Sequence, residues 1–333
     1  MTKSALMRAS VLETHGAPFR VAEIARPEAG PGQVLVRVKA SAVNPLDLKI
    51  RAGQAHHARH PLPAILGIDL AGVVEAVGPG VTSFQRGDEV FGMTGGVGGV
   101  QGSLADFTAV DADLLAVKPA NLSTIESAAL PLIFITAWEG LVDRASVRSG
   151  QSVLIHGGAG GVGHVAIQIA NAFGAKVFAT GSSASARLIE SLGATAIDYQ
   201  KASVESYVDR HTGGQGFDIV YDTVGGKTLD LSFQAVRRFG HVVSALGWGT
   251  HLLAPLSFRA GTYSGVFTLL PLLTGEGRVH HGEILREAAG LATAGKLRPR
   301  VDPRHFSLSM VDQAHQVVQG GGASGKVVVT IER

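Results

Sequence analysis

Between residues 11 and 117 apolar and polar positions alternate in short runs, as in QVLVRVKASAV and AGVVEAVG, and Gly or Pro separates the runs. A period of two is that of strands with one buried face, which predicts a barrel-like, mostly β domain. Between residues 122 and 247 the pattern changes. SVLIH, KVFAT, TAIDY, FDIVYDTV and HVVSAL are apolar runs of strand length, and GVGHVAIQIANAF, ARLIESLG, SVESYVDRH and KTLDLSFQAVRRF between them carry helical spacing. Strand and helix in strict alternation predict a doubly wound parallel α/β sheet. From Tyr263 onward come an apolar segment, YSGVFTLLPLL, a helix, GEILREAAGLATAG, and a last strand, KVVVTIE, expected to return to the first domain. The expected division is residues 1–121, 122–262 and 263–333.

Composition narrows the class. At 333 residues the chain is long enough for two cores, and 45% hydrophobic with 17% charged residues is a globular balance. The 29 basic and 27 acidic residues are interspersed and leave a net charge of +2, so no basic stripe offers itself to nucleic acid. The absence of cysteine excludes disulfides, thiolate zinc sites and a cysteine nucleophile. MTKSALMRAS lacks an apolar signal core, and no run reaches the roughly 18 to 20 apolar residues of a membrane span. A cytoplasmic protein without a membrane partner is expected.

The stretch HGGAGGVGHVAIQ (156–168) carries the strongest motif. Gly158, Gly160 and Gly163 form G-x-G-x-x-G, with Gly161 and Val162 inside it, directly after SVLIH and at the start of a helix. In the Rossmann context such glycines let a dinucleotide pyrophosphate reach backbone N–H groups at a helix N-terminus. A glycine turn that only packs helix on strand is the plainer alternative, and the further βα alternations count against it. A site that prefers NAD places an acid near the end of the second strand, roughly 20 residues on. Here that region reads FATGSSASAR, with no Asp or Glu before Glu190. Ser182, Ser183 and Arg187 offer hydroxyls and a guanidinium suited to a 2′-phosphate, and Tyr199, ending the third strand, can line the same adenosine end. Arg187 reads equally as a solvated helix residue. The missing acid is the firmer sign, and it points to NADPH.

Together with AVNPLDLKIRAG (42–53), PAILGIDLAGVVEAVGPGVTSFQRGDEVFG (63–92), LPLIFITAWEGL (130–141) and SGKVVVTI (324–331), the glycine motif resembles the medium-chain dehydrogenase/reductase superfamily over nearly the whole chain. Within it the chain is similar to the zinc-independent, zeta-crystallin-like branch of quinone oxidoreductases and enone reductases. The resemblance implies a GroES-like catalytic domain beside the Rossmann domain. It implies that Thr136 touches the nicotinamide, although a hydroxyl bonded to its own helix is the plainer reading, and that Asp222, Leu246, Gly247, Gly325 and Lys326 line the cofactor. A homodimer joined through the sheet edge near YSGVFTLLPLL is expected as well. Zinc-dependent relatives carry Cys where Asn44 stands, and Gly-His-Glu where Gly67, Ile68 and Asp69 stand, so no metal is expected.

Losing the metal bears on the chemistry. Interconversion of alcohol and ketone lacks its usual Lewis acid, whereas hydride delivery to a conjugated C=C–C=O or a quinone needs only a stabilised carbonyl oxygen. Lys49 and Asn44, both in VNPLDLK, are the candidate donors; from spacing alone a surface lysine and a turn residue before Pro45 are the plainer reading, and the resemblance to enone reductases, which carry this Asn and Lys pattern, counts against it. Many zeta-crystallin-like enzymes carry Tyr at the position of Lys49, and that departure favours activated alkenes over quinones. The expected function is an NADPH-dependent, zinc-free reductase of small enones or quinones. A non-catalytic NADPH-binding sensor or structural protein, and a zinc-free alcohol dehydrogenase-like reductase, are the alternatives. HHARH (56–60) spaces His56 and His60 as zinc helices do but lacks their Glu, and is expected to be a solvated loop.

Overall fold

The computed structural model describes residues 6–331, so the outermost ends of the first and last expected regions, 1–5 and 332–333, lie outside it. Packing divides the chain into two units: Met1–Leu132 with Leu269–Gly295 and Pro299–Arg333, and Ile133–Thr268 with Lys296–Arg298. The expected boundaries thus move toward the C-terminus. The helix Thr124–Ala128 packs on the strands Gln33–Ala42 and Asp69–Val77 of the first unit, and the strand Thr262–Gly265 is hydrogen-bonded to Val236–Ser244 of the second.

The second unit is built on six strands in the order Thr195–Asp198, Lys176–Gly181, Ser152–His156, Phe217–Asp222, Val236–Ser244 and Thr262–Gly265. Every neighbouring pair is parallel. Numbered by appearance the order is 3-2-1-4-5-6, the Rossmann arrangement with ligand sites at the carboxyl ends of the strands. Leu154, Phe217, Val220, Leu229, Phe233 and Val242 form a core that excludes water. Two elements differ from the sequence pattern. The helix expected over KTLDLSFQAVRRF stops at Ala235, because Val236 already pairs with Phe217. In YSGVFTLLPLL the strand ends at Gly265 and a short helix, Leu270–Thr274, follows with Pro271 in its first turn, where a missing N–H costs no ladder bond.

The first unit centres on Gln33–Ala42, antiparallel to Asp69–Val77, Phe107–Asp111 and Val328–Thr330. Val34, Val36, Val38 and Ala40 are buried and Arg37 between them is exposed, but Leu35 and Ser41 on the other face are buried as well, so the alternation read in QVLVRVKASAV holds only in the middle of the strand. The last strand is hydrogen-bonded into this sheet, with Val328 opposite Ala42. A smaller sheet sets Leu6–Leu12 between Arg20–Ala25 and Ala64–Ile65.

Candidate active site

In the second unit, Ser152–His156 runs into a turn at Gly157, where φ is 75°, and then into the helix Gly161–Ala172. Two glycines of the motif exist for close packing. A Cβ on Gly163 would stand 2.1 Å from the Gly157 carbonyl oxygen, and one on Gly158 2.6 Å from the Ala179 Cβ. Gly160 and Gly161 are exposed, and no side chain caps the helix that follows. Uncovered N–H groups at the positive end of a helix form an anion seat of the kind a pyrophosphate fills. Val162 sits half-buried in the same turn.

The neighbouring strand ends are tied by one buried carboxylate. Asp222 accepts from Val224 N at 3.0 Å and Gly225 N at 2.9 Å through Oδ1, and from Ser244 Oγ at 2.7 Å through Oδ2. Ser244 Oγ in turn accepts from Leu246 N at 3.0 Å. Asp222 and Leu246 therefore shape two loops at the carboxyl edge of the sheet, and exposed Gly247 continues the second. Thr136 Oγ1 meets Thr268 Oγ1 at 3.2 Å, Thr268 Oγ1 donates to Glu139 at 2.8 Å, and buried Tyr221 donates to the Thr136 carbonyl at 2.7 Å.

At the adenosine end Ser182 is half-buried, and Ser183, Arg187 and Tyr199 are exposed. The second strand carries no acid, as its sequence says, yet an acid stands beside its end. Asp198 of the third strand pairs in register with Gly181, and its carboxylate accepts from Ser183 Oγ. Counting along the second strand could not reveal it.

The first unit holds a second cluster. Asp47 Oδ2 accepts from Asn44 N at 2.8 Å, closing the start of the helix Pro45–Arg51, and Asp47 Oδ1 accepts from Gly67 N at 3.3 Å. Asn44 Nδ2 donates to Asp69 Oδ2 at 2.9 Å, and Asn44 Oδ1 accepts from Lys326 Nζ. Lys326 Nζ lies 3.4 Å from Asp69 Oδ2, and Asp69 Oδ1 accepts from Leu132 N at 2.8 Å. Exposure is 1% for Asn44 and Asp47, 0% for Asp69 and 8% for Lys326, so these charges face protein rather than water. Burial pushes the Asp47 carboxyl up to about 7. It raises Asp69 as well, against the opposing pull of the Lys326 ammonium and of the Asn44 amide.

Two of the expected site residues are bonded within this cluster. Lys326, expected along the cofactor, turns its ammonium into the cluster, while Gly325 before it packs against the Arg300 carbonyl, 2.7 Å from where a Cβ would be. Asn44, expected as a donor to substrate, directs its amide at Asp69 and, at 3.5 Å, at the Ala42 carbonyl. Lys49 lies exposed in the last turn of its helix, outside the cluster. Its charge is felt at His57, whose imidazole is pushed down by burial, then by the Lys49 ammonium and by the neighbouring His56 ring.

Known proteins match both halves. The model described as an alcohol dehydrogenase GroES-like domain covers residues 30–120, and that of a zinc-binding dehydrogenase covers residues 192–329. A 2-methylene-furan-3-one reductase of Solanum lycopersicum is 40% identical over 314 residues, spanning 92% of this chain and 74% of the relative. An NADPH-dependent alkenal/one oxidoreductase, chloroplastic, of Arabidopsis thaliana is 38% identical, over 91% of this chain and 73% of its own length. The crystal structure of an alcohol dehydrogenase superfamily protein from Novosphingobium aromaticivorans matches with a TM-score of 0.96 at 60% identity, covering 98% of this chain and 100% of that one.

The open glycine turn fits the nicotinamide dinucleotide of such dehydrogenases. The zinc implied by the second model does not fit. Asn44 and buried Ile68 replace two ligands, the remaining carboxylate already holds an ammonium, and no group of three or more metal-ligating side chains occurs among the described residues. By sequence, fold and glycine turn together, the chain belongs to the medium-chain dehydrogenase/reductase superfamily, in its quinone and enone reductase branch.

Proposed function

We propose that the protein is an oxidoreductase that reduces the C=C bond of α,β-unsaturated carbonyl compounds, and quinones less selectively, with NADPH and without zinc. The observation that carries the reading is the pair of Lys326 and Asp69 inside a buried cluster at the place where zinc-dependent relatives keep their metal. That donor set has no use for a Lewis acid, so charge on a substrate oxygen must be met by hydrogen-bond donors. The names of the tomato and Arabidopsis relatives support the same substrate class.

Bound at the Gly158–Gly163 turn, a reduced nicotinamide cofactor supplies the hydride. The uncapped helix start binds its phosphates. Exposed Arg187 and Lys201 supply cations for a 2′-phosphate and Tyr199 an aromatic face, whereas Ser182 gives its proton to Ser185 Oγ at 3.3 Å, because Ser185 Oγ already donates to the Ser182 carbonyl. Lys49 donates to the carbonyl oxygen as negative charge grows there, an interaction stronger in the transition state than in the ground state. Asn44 acts one step back: with Asp69 and Lys326 it fixes the segment from which Lys49 projects. We also propose a two-fold dimer, since the edge strand Thr262–Gly265 and the nearby Trp248, Leu252 and Phe258 leave apolar surface exposed at 53%, 71% and 86% for those three.

The test is loss of reduced-nicotinamide absorbance against a panel of enones, quinones, ketones and saturated aldehydes, with and without exhaustive chelation. Turnover of enones above ketones, unchanged by chelation, is expected. Turnover confined to alcohols or ketones, or lost with zinc, would refute the proposal, and NADPH binding without turnover of any member would favour a non-catalytic sensor.

A further inference from the structure

Asp198 ends the strand Thr195–Asp198, and the parallel register sets it opposite Gly181, the last residue of the second strand. In a Rossmann sheet the adenosine ribose lies at that strand end. The carboxylate is fully engaged: Oδ1 accepts from Gln200 N at 3.0 Å, while Oδ2 accepts from Ser183 Oγ and lies 3.5 Å from Lys201 Nζ. These bonds, that from Ser183 foremost, hold its carboxyl below the ordinary range, so it is an anion at neutral pH. A serine hydroxyl has one proton to give. Ser183 gives it to Asp198, and so presents only lone pairs to a group arriving at the ribose end, with a negative charge behind them. Phosphate oxygens are repelled by both, whereas a ribose hydroxyl can donate to both.

We propose that Asp198 is a specificity-determining residue that works against the 2′-phosphate: it claims the Ser183 proton and narrows the preference for NADPH over NADH that the Arg187 and Lys201 cations create. The inference rests on the dinucleotide reading of the site, not on which cofactor binds more tightly.

Asp198→Asn tests it with little change of shape. The amide oxygen still accepts from Gln200 N, while the amide nitrogen donates to Ser183 Oγ. That reversal frees the Ser183 proton for a phosphate oxygen and removes one negative charge. In calorimetric titrations of the full chain, NADPH and 2′,5′-ADP should bind about tenfold more tightly to the variant, with NADH and 5′-ADP changed by less than about twofold. Ser183→Ala should then abolish much of the gain in the Asp198→Asn background, yet alter NADPH affinity little in the parent. An NADPH-to-NADH affinity ratio that stays within about twofold of the parent overturns the inference, as does a gain undiminished by Ser183→Ala. A parent that binds NADH more tightly than NADPH would refute the cofactor preference, and the change in the ratio would still decide the role of Asp198.

Discussion

Replacing Lys326 by Met removes a buried ammonium and keeps most of its volume, so the cost falls on the carboxylate it faced. Asp69 would retain Asn44 Nδ2 and Leu132 N as donors but lose the ammonium 3.4 Å from its Oδ2. Breaking a buried pair in this way costs about 3 to 5 kcal/mol. Protonation sets a ceiling, because the variant can neutralise Asp69 at about 1.4 kcal/mol for each pH unit above the ordinary 3.8. That ceiling is about 6 kcal/mol at pH 8 but only about 1.6 kcal/mol at pH 5. The sign follows: burial already holds the parental carboxyl above 3.8, and losing the ammonium raises it further, so the destabilisation relative to the parent grows as pH rises between the parental and variant positions, within that ceiling. Both tryptophans, Trp138 and Trp248, belong to the second unit, and fluorescence would report there. Hydrogen exchange of amides in Gln33–Ala42 reports the first. Lys326→Met should lower the opening free energy of that strand by about 3 to 5 kcal/mol at pH 8 and by under about 2 at pH 5. Adding Asp69→Asn should restore much of it, because the Oδ1 of Asn44, released by Lys326, then finds an amide donor. Equal losses at both pH values, or no recovery in the double variant, would show that Lys326 acts by packing and not by charge.

Other outcomes follow from the same geometry. Lys49→Ala should lower kcat and kcat/KM for enones together by about 10- to 1000-fold, with NADPH affinity unchanged and Lys49→Arg keeping part of the rate; steady-state turnover within about twofold of the parent would return Lys49 to an ordinary surface lysine. NADPH should bind about tenfold more tightly than NADH, worth about 1.4 kcal/mol, and Arg187→Ala should remove much of that difference by calorimetry. Burial pushes the His315 imidazole down to about 4, with Arg51 adding to the shift, so below its ordinary 6.5 the unfolded chain takes up a proton that the folded one refuses. Stability therefore falls with acid, and His315→Leu should remove about 1.4 kcal/mol per pH unit from the slope of denaturation free energy between those values; an unchanged slope would contradict it. Light scattering at micromolar concentration should give the mass of a dimer, and a monomer would remove the case for paired edges.

What was legible in the sequence was mostly local. The glycine turn could be read because its residues are contiguous and flanked by a strand and a helix, and the alternation of periods two and 3.6 foretold the parallel sheet. Helix ends were harder: QAVRRF continues a helical pattern, and only the pairing of Val236 with Phe217 shows where the strand begins. The site was legible in part. Asn44 was marked by its place in VNPLDLK, but spacing could not show its partners, since Asp69 and Lys326 lie 25 and 282 residues away. Asp198 escaped for a related reason. The rule for ribose acids counts along the second strand, whereas this carboxylate arrives sideways from the third.

The discontinuity of the first unit sets an order of events during synthesis. Ile133–Thr268 is continuous and has all its sheet partners once Thr262–Gly265 has left the ribosome. By then Gln33–Ala42 still has an open edge, because Val328–Thr330 has yet to be made. Asp69 waits equally long for Lys326. Domains complete in sequence tend to fold as they emerge, so the nascent chain carries a six-stranded sheet with all its strands beside a first-unit sheet still open along part of one edge, whose acidic centre has no counterion. A lesion near residue 326 would thus be felt at residues 44 and 69.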